Sequence, residues 1–152
     1  MPSVGEAAPE FKLASTEGRE ISLSEFKGKK NVVIAFYPLD FSPVCSVQIP
    51  DYNDHVKAFE EADTVVLGIS RDSVFAHTAW AEQLGGLEVP LLADMKGEAA
   101  QAYGVYLPKM GISGRAIFVV DKAGILRHAH VEEQLQDKRS AEEVLAMVSA
   151  LG

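Results

Sequence analysis

Three long apolar runs lie along the chain, and they predict the central strands of a sheet. Residues 31–37 and 64–70 are nearly continuous apolar segments, which is typical of strands buried on both faces. Residues 115–120 form a third run of this kind. The turn at residues 121–124 then leads into residues 125–130, which we expect to form an antiparallel strand.

Helical spacing follows the first of these strands. Apolar side chains recur at intervals of three and four within residues 45–61, which predicts a helix. Because Pro50 lies inside this segment, we expect the helix to kink or restart there. Ser73 is expected to cap another helix, which Gly85 and Gly86 end. Two further helices are predicted, one at residues 98–103 and one that begins after Ser140.

The N-terminal part of the chain has the alternation of a β-hairpin. Residues 11–13 and 21–23 alternate apolar and polar side chains around a turn at residues 16–19. The order of strands and helices as a whole predicts an α/β fold, with a central mixed sheet flanked by helices and the hairpin at the N-terminus. This order is similar to the thioredoxin-like fold. No repeat, low-complexity segment or linker interrupts residues 1–152, so we expect a single domain.

The charge balance narrows the possible partners. The chain has 14 Lys and Arg against 22 Asp and Glu, a formal net charge of −8. An acidic protein repels phosphate backbones and anionic lipids, so binding to nucleic acid or to a membrane surface is disfavoured. No apolar run approaches the ~20 residues that cross a bilayer, and the first residues do not resemble a secretory signal. We therefore expect a cytoplasmic protein.

Cys45 is the only cysteine among the 152 residues. It therefore forms no disulfide within the chain and no multi-thiolate zinc site. It stands where a predicted buried strand passes into a predicted helix, and the unpaired N–H groups and dipole of a first helical turn favour thiolate over thiol. The hydroxyl of Ser42, three residues earlier, is within reach of the sulfur or of an incoming oxygen.

A reactive thiolate alone does not make a fast enzyme, because charge also develops on the oxygen that leaves. Hydrogen-bond donors aimed at that oxygen stabilise the transition state. Arg115 is the best candidate for such a donor. It opens the third apolar strand after the flexible segment 111–114, and this strand can neighbour the one that ends at Tyr37.

Several of these residues resemble the active-site signature of peroxiredoxins. Pro38, Ser42 and Cys45 match the pattern Pro-x-x-x-Thr/Ser-x-x-Cys of that family. Arg115, which precedes a hydrophobic strand that ends in Asp121, resembles the family's distant active-site arginine. Two N-terminal segments extend the resemblance over nearly the whole chain, residues 5–11 and 23–29.

The resemblance implies a thiol-dependent peroxidase that uses no metal, haem or flavin. Cys45 would attack the O–O bond of hydrogen peroxide or of a small organic hydroperoxide and become a sulfenic acid. The resemblance assigns the binding of the peroxide to Ser42, to Arg115 and to the N–H groups of Val44 and Cys45. Pro38 would shield the sulfenic acid. An external thiol would then reduce it: thioredoxin, a glutaredoxin-like protein or a low-molecular-weight thiol. Peroxiredoxins commonly form homodimers, which we expect here as well.

Three positions depart from the family pattern. Ser42 stands where the family usually has Thr, and Gln48 stands where many related sequences have Glu. Pro50 stands where the bacterioferritin-comigratory subgroup often has a resolving cysteine, and no other position supplies one. The chain therefore most resembles one-cysteine peroxiredoxins of the alkyl hydroperoxide reductase E type.

The residues alone leave other functions open. A thiol–disulfide oxidoreductase usually needs Cys-x-x-Cys, whereas residues 42–45 read Ser-Pro-Val-Cys. A redox sensor would use the same fold without peroxidase turnover, as would a thioredoxin-like binding or chaperone module with an incidental Cys45. His128 and His130 share one face of a strand, but no third ligand is evident, so we expect a solvated face and no metal site.

Overall fold

The structure is built around a five-stranded mixed sheet, and this computed structural model describes residues 1–151. In chain order the strands are β1 (Lys12–Ala14), β2 (Glu20–Ser22), β3 (Asn31–Phe36), β4 (Thr64–Ser70), β5 (Leu91–Ala93), β6 (Tyr106–Leu107), β7 (Ile112–Ser113), β8 (Ala116–Val120) and β9 (Leu126–Val131). The α-helices are α1 (Cys45–Asp54), α2 (Val56–Glu61), α3 (Val74–Gln83), α4 (Glu98–Ala102) and α5 (Ala141–Ser149). A turn of 3-10 helix at Leu23–Phe26 follows β2.

The main sheet has the order β5-β4-β3-β8-β9, with β3 at its centre. β3, β4 and β5 run parallel to one another, whereas β8 is antiparallel to both β3 and β9. β1 and β2 pair as an N-terminal antiparallel hairpin. The predicted thioredoxin-like α/β fold, with its mixed sheet, flanking helices and hairpin, is confirmed.

The side chains of β3 alternate between two hydrophobic cores, one on each face of the sheet. Val32, Ile34 and Phe36 belong to the core that includes α4 and the hairpin. Val33 and Ala35 belong to the core formed with α1, α2, α3 and α5. Burial of one such side chain contributes roughly 1.5–3 kcal/mol. These two cores fix β3, and with it the start of the loop that leads to Cys45.

The helix predicted at residues 45–61 is interrupted at His55, and the expected restart at Pro50 was wrong, because Pro50 lies inside α1. His55 has φ −108° and ψ 13°, outside the helical region. Its N–H bonds to the carbonyl of Tyr52, and its Nδ1 lies 2.8 Å from the carbonyl oxygen of Asp51, which the break leaves without a helical donor.

No helix within residues 1–151 is long and apolar enough to cross a membrane.

The segment expected to be flexible before Arg115 is instead part of a small sheet. Ile112 and Ser113 form β7, which pairs with β6 and is buried. Ser113 Oγ donates to the carbonyl of Tyr37 at 2.9 Å, so this segment is tied to the end of β3. Two-residue strands have no hydrophobic periodicity, which is why the sequence pattern does not reveal them.

Candidate active site

Cys45 is the first residue of α1 and is fully buried at the end of the loop from β3. The carbonyls of Ser42 and Val44 accept the first main-chain bonds of the helix, from Ser46 and Gln48. Within residues 1–151 the N–H groups of Val44 and Cys45 have no protein acceptor. They are the free donors of a helix start, and they stand where the peroxide-binding groups are predicted.

Arg115 reaches Cys45 from the neighbouring strand of the sheet. β8 pairs with β3 so that Ala116 lies opposite Phe36, and Arg115 immediately precedes this pair. Its Nη1 lies 3.2 Å from Cys45 Sγ, and the side chain is only 2% exposed. Arg115 therefore provides a buried cationic donor beside the sulfur, which can bond to negative charge on an oxygen bound there.

Two oxygen atoms hold the Arg115 guanidinium in place. Arg115 Nε donates to the carbonyl of Leu135 at 2.8 Å, and Nη1 donates to Gln48 Oε1 at 2.6 Å. Gln48 Nε2 in turn donates to Tyr52 Oη at 2.9 Å, and Tyr52 Oη donates to the carbonyl of Arg139 at 2.7 Å. These supporting contacts join α1 to the segment after β9. Sequence spacing does not predict them, although the resemblance to peroxiredoxins marks Gln48 as a departure from the family pattern.

Ser42 brings an unused hydroxyl to the same loop. Its Oγ is buried and has no hydrogen-bond partner in the described part of the chain. A buried polar group without a partner costs about 1–3 kcal/mol, so this hydroxyl is free to bind an incoming oxygen. Pro38 is buried in the same loop. The structure thus has Pro38, Ser42, Val44 and Cys45 on one loop and helix start, and Arg115 reaches the sulfur from β8.

A buried polar network braces the loop from α3, and the sequence did not predict it. Asp40 Oδ2 lies 2.7 Å from His77 Nδ1, and Asp40 Oδ1 accepts from Tyr37 Oη at 2.7 Å. His77 Nε2 lies 2.9 Å from the carbonyl oxygen of Leu92. Both ring nitrogens of His77 therefore face oxygen atoms, so the ring is held between Asp40 and the main chain. The main-chain N–H of Asp40 also donates to Asp72 Oδ2 at 2.9 Å.

Burial and the neighbouring Asp40 raise the pKa of Tyr37 well above its usual value of 10.0, so the phenol stays a proton donor. The network lacks a sequence signature because Asp40 and His77 are 37 positions apart.

Three groups in this network, Asp40, Asp72 and His77, place potential metal ligands within 4.8 Å of one another. Their ligand atoms already bond to one another, to the main chain or to Ser70.

His128 and His130, the two histidines of β9, have no common hydrogen-bond or ion-pair partner among the described residues. His130 Nε2 lies 2.7 Å from Glu132 Oε1, and Arg139 Nε lies 3.3 Å from the same oxygen. His128 is half-buried on the same strand. His130 therefore belongs to a charge cluster with Glu132 and Arg139.

Comparison with known sequences agrees with this geometry. The sequence profile of the AhpC/TSA family matches residues 4–129. The chain is 38% identical to the chloroplastic 2-Cys peroxiredoxin BAS1 of Hordeum vulgare, in an alignment that covers 99% of this chain and 76% of the relative. It is 41% identical to peroxiredoxin-2 of Mus musculus, covering 97% of this chain and 78% of the relative.

Solved structures agree as well. The reduced 2-Cys peroxiredoxin of Plasmodium vivax superposes with a TM-score of 0.91 at 34% identity, covering 99% of this chain and 82% of that one. AhpC of Enterococcus faecalis gives a TM-score of 0.91 at 29% identity, covering 99% and 93%. Several of these relatives are named 2-Cys peroxiredoxins, so the expected family is confirmed whereas the one-cysteine subtype gains no support from them. The chain belongs to the AhpC/TSA family of peroxiredoxins and is a thiol-dependent peroxidase.

Proposed function

We propose that the protein reduces hydrogen peroxide and small organic hydroperoxides by a one-cysteine mechanism. The observation that carries the proposal is the 3.2 Å contact between the buried Arg115 guanidinium and the sulfur of the chain's only cysteine. The thiolate attacks the terminal peroxide oxygen, the O–O bond breaks, and the leaving oxygen takes a proton to become water or an alcohol. Cys45 is left as a sulfenic acid.

The groups around the sulfur have distinct roles in this step. Arg115 and the free N–H groups of Val44 and Cys45 stabilise charge on the leaving oxygen. Ser42 binds the peroxide through its otherwise unpartnered hydroxyl. Pro38 keeps solvent from the sulfenic acid.

The sulfenic acid is reduced by an external thiol. One thiol displaces water to form a mixed disulfide with Cys45, and a second thiol releases the reduced enzyme and a disulfide. Thioredoxin, a glutaredoxin-like protein and a low-molecular-weight thiol are the candidate reductants. Assays with each of them at equal concentration, with loss of peroxide as the readout, identify the reductant.

A homodimer, through the face beside the Cys45 loop, is part of the same proposal. Phe41 in this loop is 49% exposed and has φ 66°, a left-handed conformation that is unusual for an aromatic residue. Sedimentation of the wild type and of Phe41→Ala tests this contact.

The acidic composition supports a cytoplasmic location, which cell fractionation tests.

The first experiment measures the intact mass of the reduced protein after one equivalent of hydrogen peroxide, over milliseconds to seconds. We expect rapid gain of one oxygen atom, which is lost in Cys45→Ser and much slower in Arg115→Ala. Oxidation no faster than that of free cysteine would contradict the proposal and favour a binding or chaperone module. Strong reduction of insulin disulfides would instead favour a thiol–disulfide oxidoreductase.

A further inference from the structure

The Arg115 guanidinium is a buried cation without a carboxylate partner among residues 1–151. No Asp or Glu among residues 1–151 lies within ion-pair distance of it, and its contacts are the neutral oxygens of Leu135 and Gln48 together with Cys45 Sγ. Buried charges in proteins are normally paired, because burial of an isolated charge is costly. Within the described part of the chain, the only group in contact with Arg115 that can carry the opposite charge is Cys45.

Gln48 fixes the position of the Arg115 guanidinium but, as a neutral amide, does not neutralise its positive charge. Its side chain is 1% exposed, and only its Oε1 can face Arg115, because a guanidinium has no acceptor. Its Nε2 is fixed by Tyr52 Oη at 2.9 Å. Burial raises the pKa of Tyr52 above its usual value of 10.0, so this phenol stays protonated. Its hydroxyl donates to the main-chain carbonyl of Arg139. The amide thus has one orientation and no charge.

We propose that Gln48 is a positioning residue that holds Arg115 beside Cys45 without neutralising its positive charge. That charge can then stabilise an anionic form of Cys45, including the sulfenate that follows the first oxidation. The sulfenate is therefore easily oxidised a second time. This inference rests on the proposed function, because it concerns the fate of the Cys45 sulfenic acid. With no competing carboxylate among the described residues, Arg115 favours the sulfenate anion over the neutral acid, and the anion is the better nucleophile.

The second oxidation uses the same peroxide substrate. The sulfenate sulfur attacks one peroxide oxygen, an S–O bond forms and the O–O bond breaks. The hydroxide that leaves takes up the remaining peroxide proton as water. Sulfenate and hydrogen peroxide thereby give sulfinate and water, with sulfur oxidised by two electrons and charge conserved. The sulfinate remains an anion beside Arg115.

The test compares the wild type with Gln48→Glu and with Tyr52→Phe. The first substitution keeps the size of the side chain and its acceptor toward Arg115 but adds a negative charge. The second substitution removes the support of Nε2 and leaves the charge unchanged. Each protein is cycled with hydrogen peroxide and dithiothreitol, and intact mass gives the fraction of Cys45 with two added oxygens per turnover.

We expect about tenfold less sulfinate per turnover in Gln48→Glu, because a nearby like charge changes a protonation equilibrium by about that factor. Tyr52→Phe should slow the first oxidation more than it changes the sulfinate fraction. Equal fractions in the wild type and Gln48→Glu would overturn the inference, as would an effect of Tyr52→Phe as large as that of Gln48→Glu.

A second pair of variants keeps the inference testable if Gln48→Glu does not fold. Ser46 is half-buried next to Cys45, so Ser46→Asp adds a charge near the sulfur and Ser46→Asn is its neutral control. Less sulfinate in Ser46→Asp than in Ser46→Asn is expected, and no difference would count against the role of charge.

If the wild type gains its first oxygen no faster than free cysteine, the proposed function fails. If it turns over and only the sulfinate fraction is unaffected, this inference alone fails.

Discussion

Arg115 Nη1 and Cys45 Sγ lie 3.2 Å apart although 70 positions separate the two residues in the chain. The contact depends on the antiparallel pairing of β3 with β8, which sets Ala116 opposite Phe36. The guanidinium then has a fixed direction because Leu135 and Gln48 hold it. Both the charge of Arg115 and its forked geometry are therefore used at this site.

Replacement of Arg115 by lysine should slow the first oxidation of Cys45 by about 10²–10³-fold, the usual cost of one transition-state donor. A lysine keeps the charge but cannot bond Leu135, Gln48 and the sulfur at once. Stopped-flow tryptophan fluorescence is suited to this measurement, since Trp80 is the only tryptophan and its Nε1 lies 3.3 Å from Ser46 Oγ.

Arg127→Lys is the matched control for that substitution, because Arg127 forms an exposed ion pair with Asp121. Its oxidation rate should equal that of the wild type. A rate for Arg115→Lys within about threefold of the wild type would mean that charge alone suffices and that the fork is unimportant.

Removal of the Ser42 hydroxyl should lower activity without lowering stability. Ser42→Ala is expected to slow the first oxidation about tenfold, because one hydrogen bond to the peroxide is lost. The free energy of unfolding should stay the same or rise slightly, since the buried Oγ has no partner to lose within residues 1–151. Ser42→Thr retains the hydroxyl and should keep the rate. A large drop in stability of Ser42→Ala, measured by urea unfolding, would indicate a structural bond.

Substitution of His77 by leucine should destabilise the fold by about 3–5 kcal/mol, because it leaves the side chain of Asp40 buried without its partner. Both side chains are fully buried in this pair. Urea unfolding measures the change. His55→Ala is the control, since His55 is partly exposed and lies 3.5 Å from Asp51, and it should cost less than about 1 kcal/mol. Similar costs for the two variants would argue against a stabilising contact between Asp40 and His77.

Glu143 should stabilise α5 in a pH-dependent way. The hydrogen bond from Arg139, together with those from Ser140, lowers the pKa of Glu143 below its usual value of 4.5. A carboxylate whose pKa is lower in the folded state contributes stability above pH 4.5, and this contribution is lost as the pH falls through the folded-state value. Glu143→Gln should therefore unfold at a lower urea concentration than the wild type at neutral pH.

The same comparison at acidic pH completes that test. The difference in urea midpoint between Glu143→Gln and the wild type should shrink as the pH falls below 4.5 and also shrink in high salt, because the pair with Arg139 is exposed. A difference that persists unchanged at acidic pH would mean that the capping bonds to Ser140, and not the charge, carry the effect.

The central strands and the position of Cys45 follow from the sequence because their signals are local. The run at residues 31–37 is apolar on both faces, and only a strand inside an α/β sheet buries such a run. The sequence also points to Arg115, since it opens another run of this kind. The break at His55 was missed because Pro50 is the residue that propensity rules mark.

The supports of the site could not be predicted, because they depend on contacts across the fold. His77 has the position of a core residue in a helix, and nothing in its spacing points to Asp40. Leu135 and Arg139 act through their main-chain carbonyls, so their side-chain types carry no information about the bonds to Arg115 and Tyr52.

The pairing of β3 with β8 also has a consequence for synthesis of the protein. Cys45 leaves the ribosome well before Arg115, and at ~5–20 residues per second the 70 intervening positions take several seconds. During that interval the sulfur lacks its cationic neighbour and has the reactivity of an ordinary thiol. The nascent chain thus carries a cysteine that becomes a target for peroxide only when the sheet that surrounds it has formed.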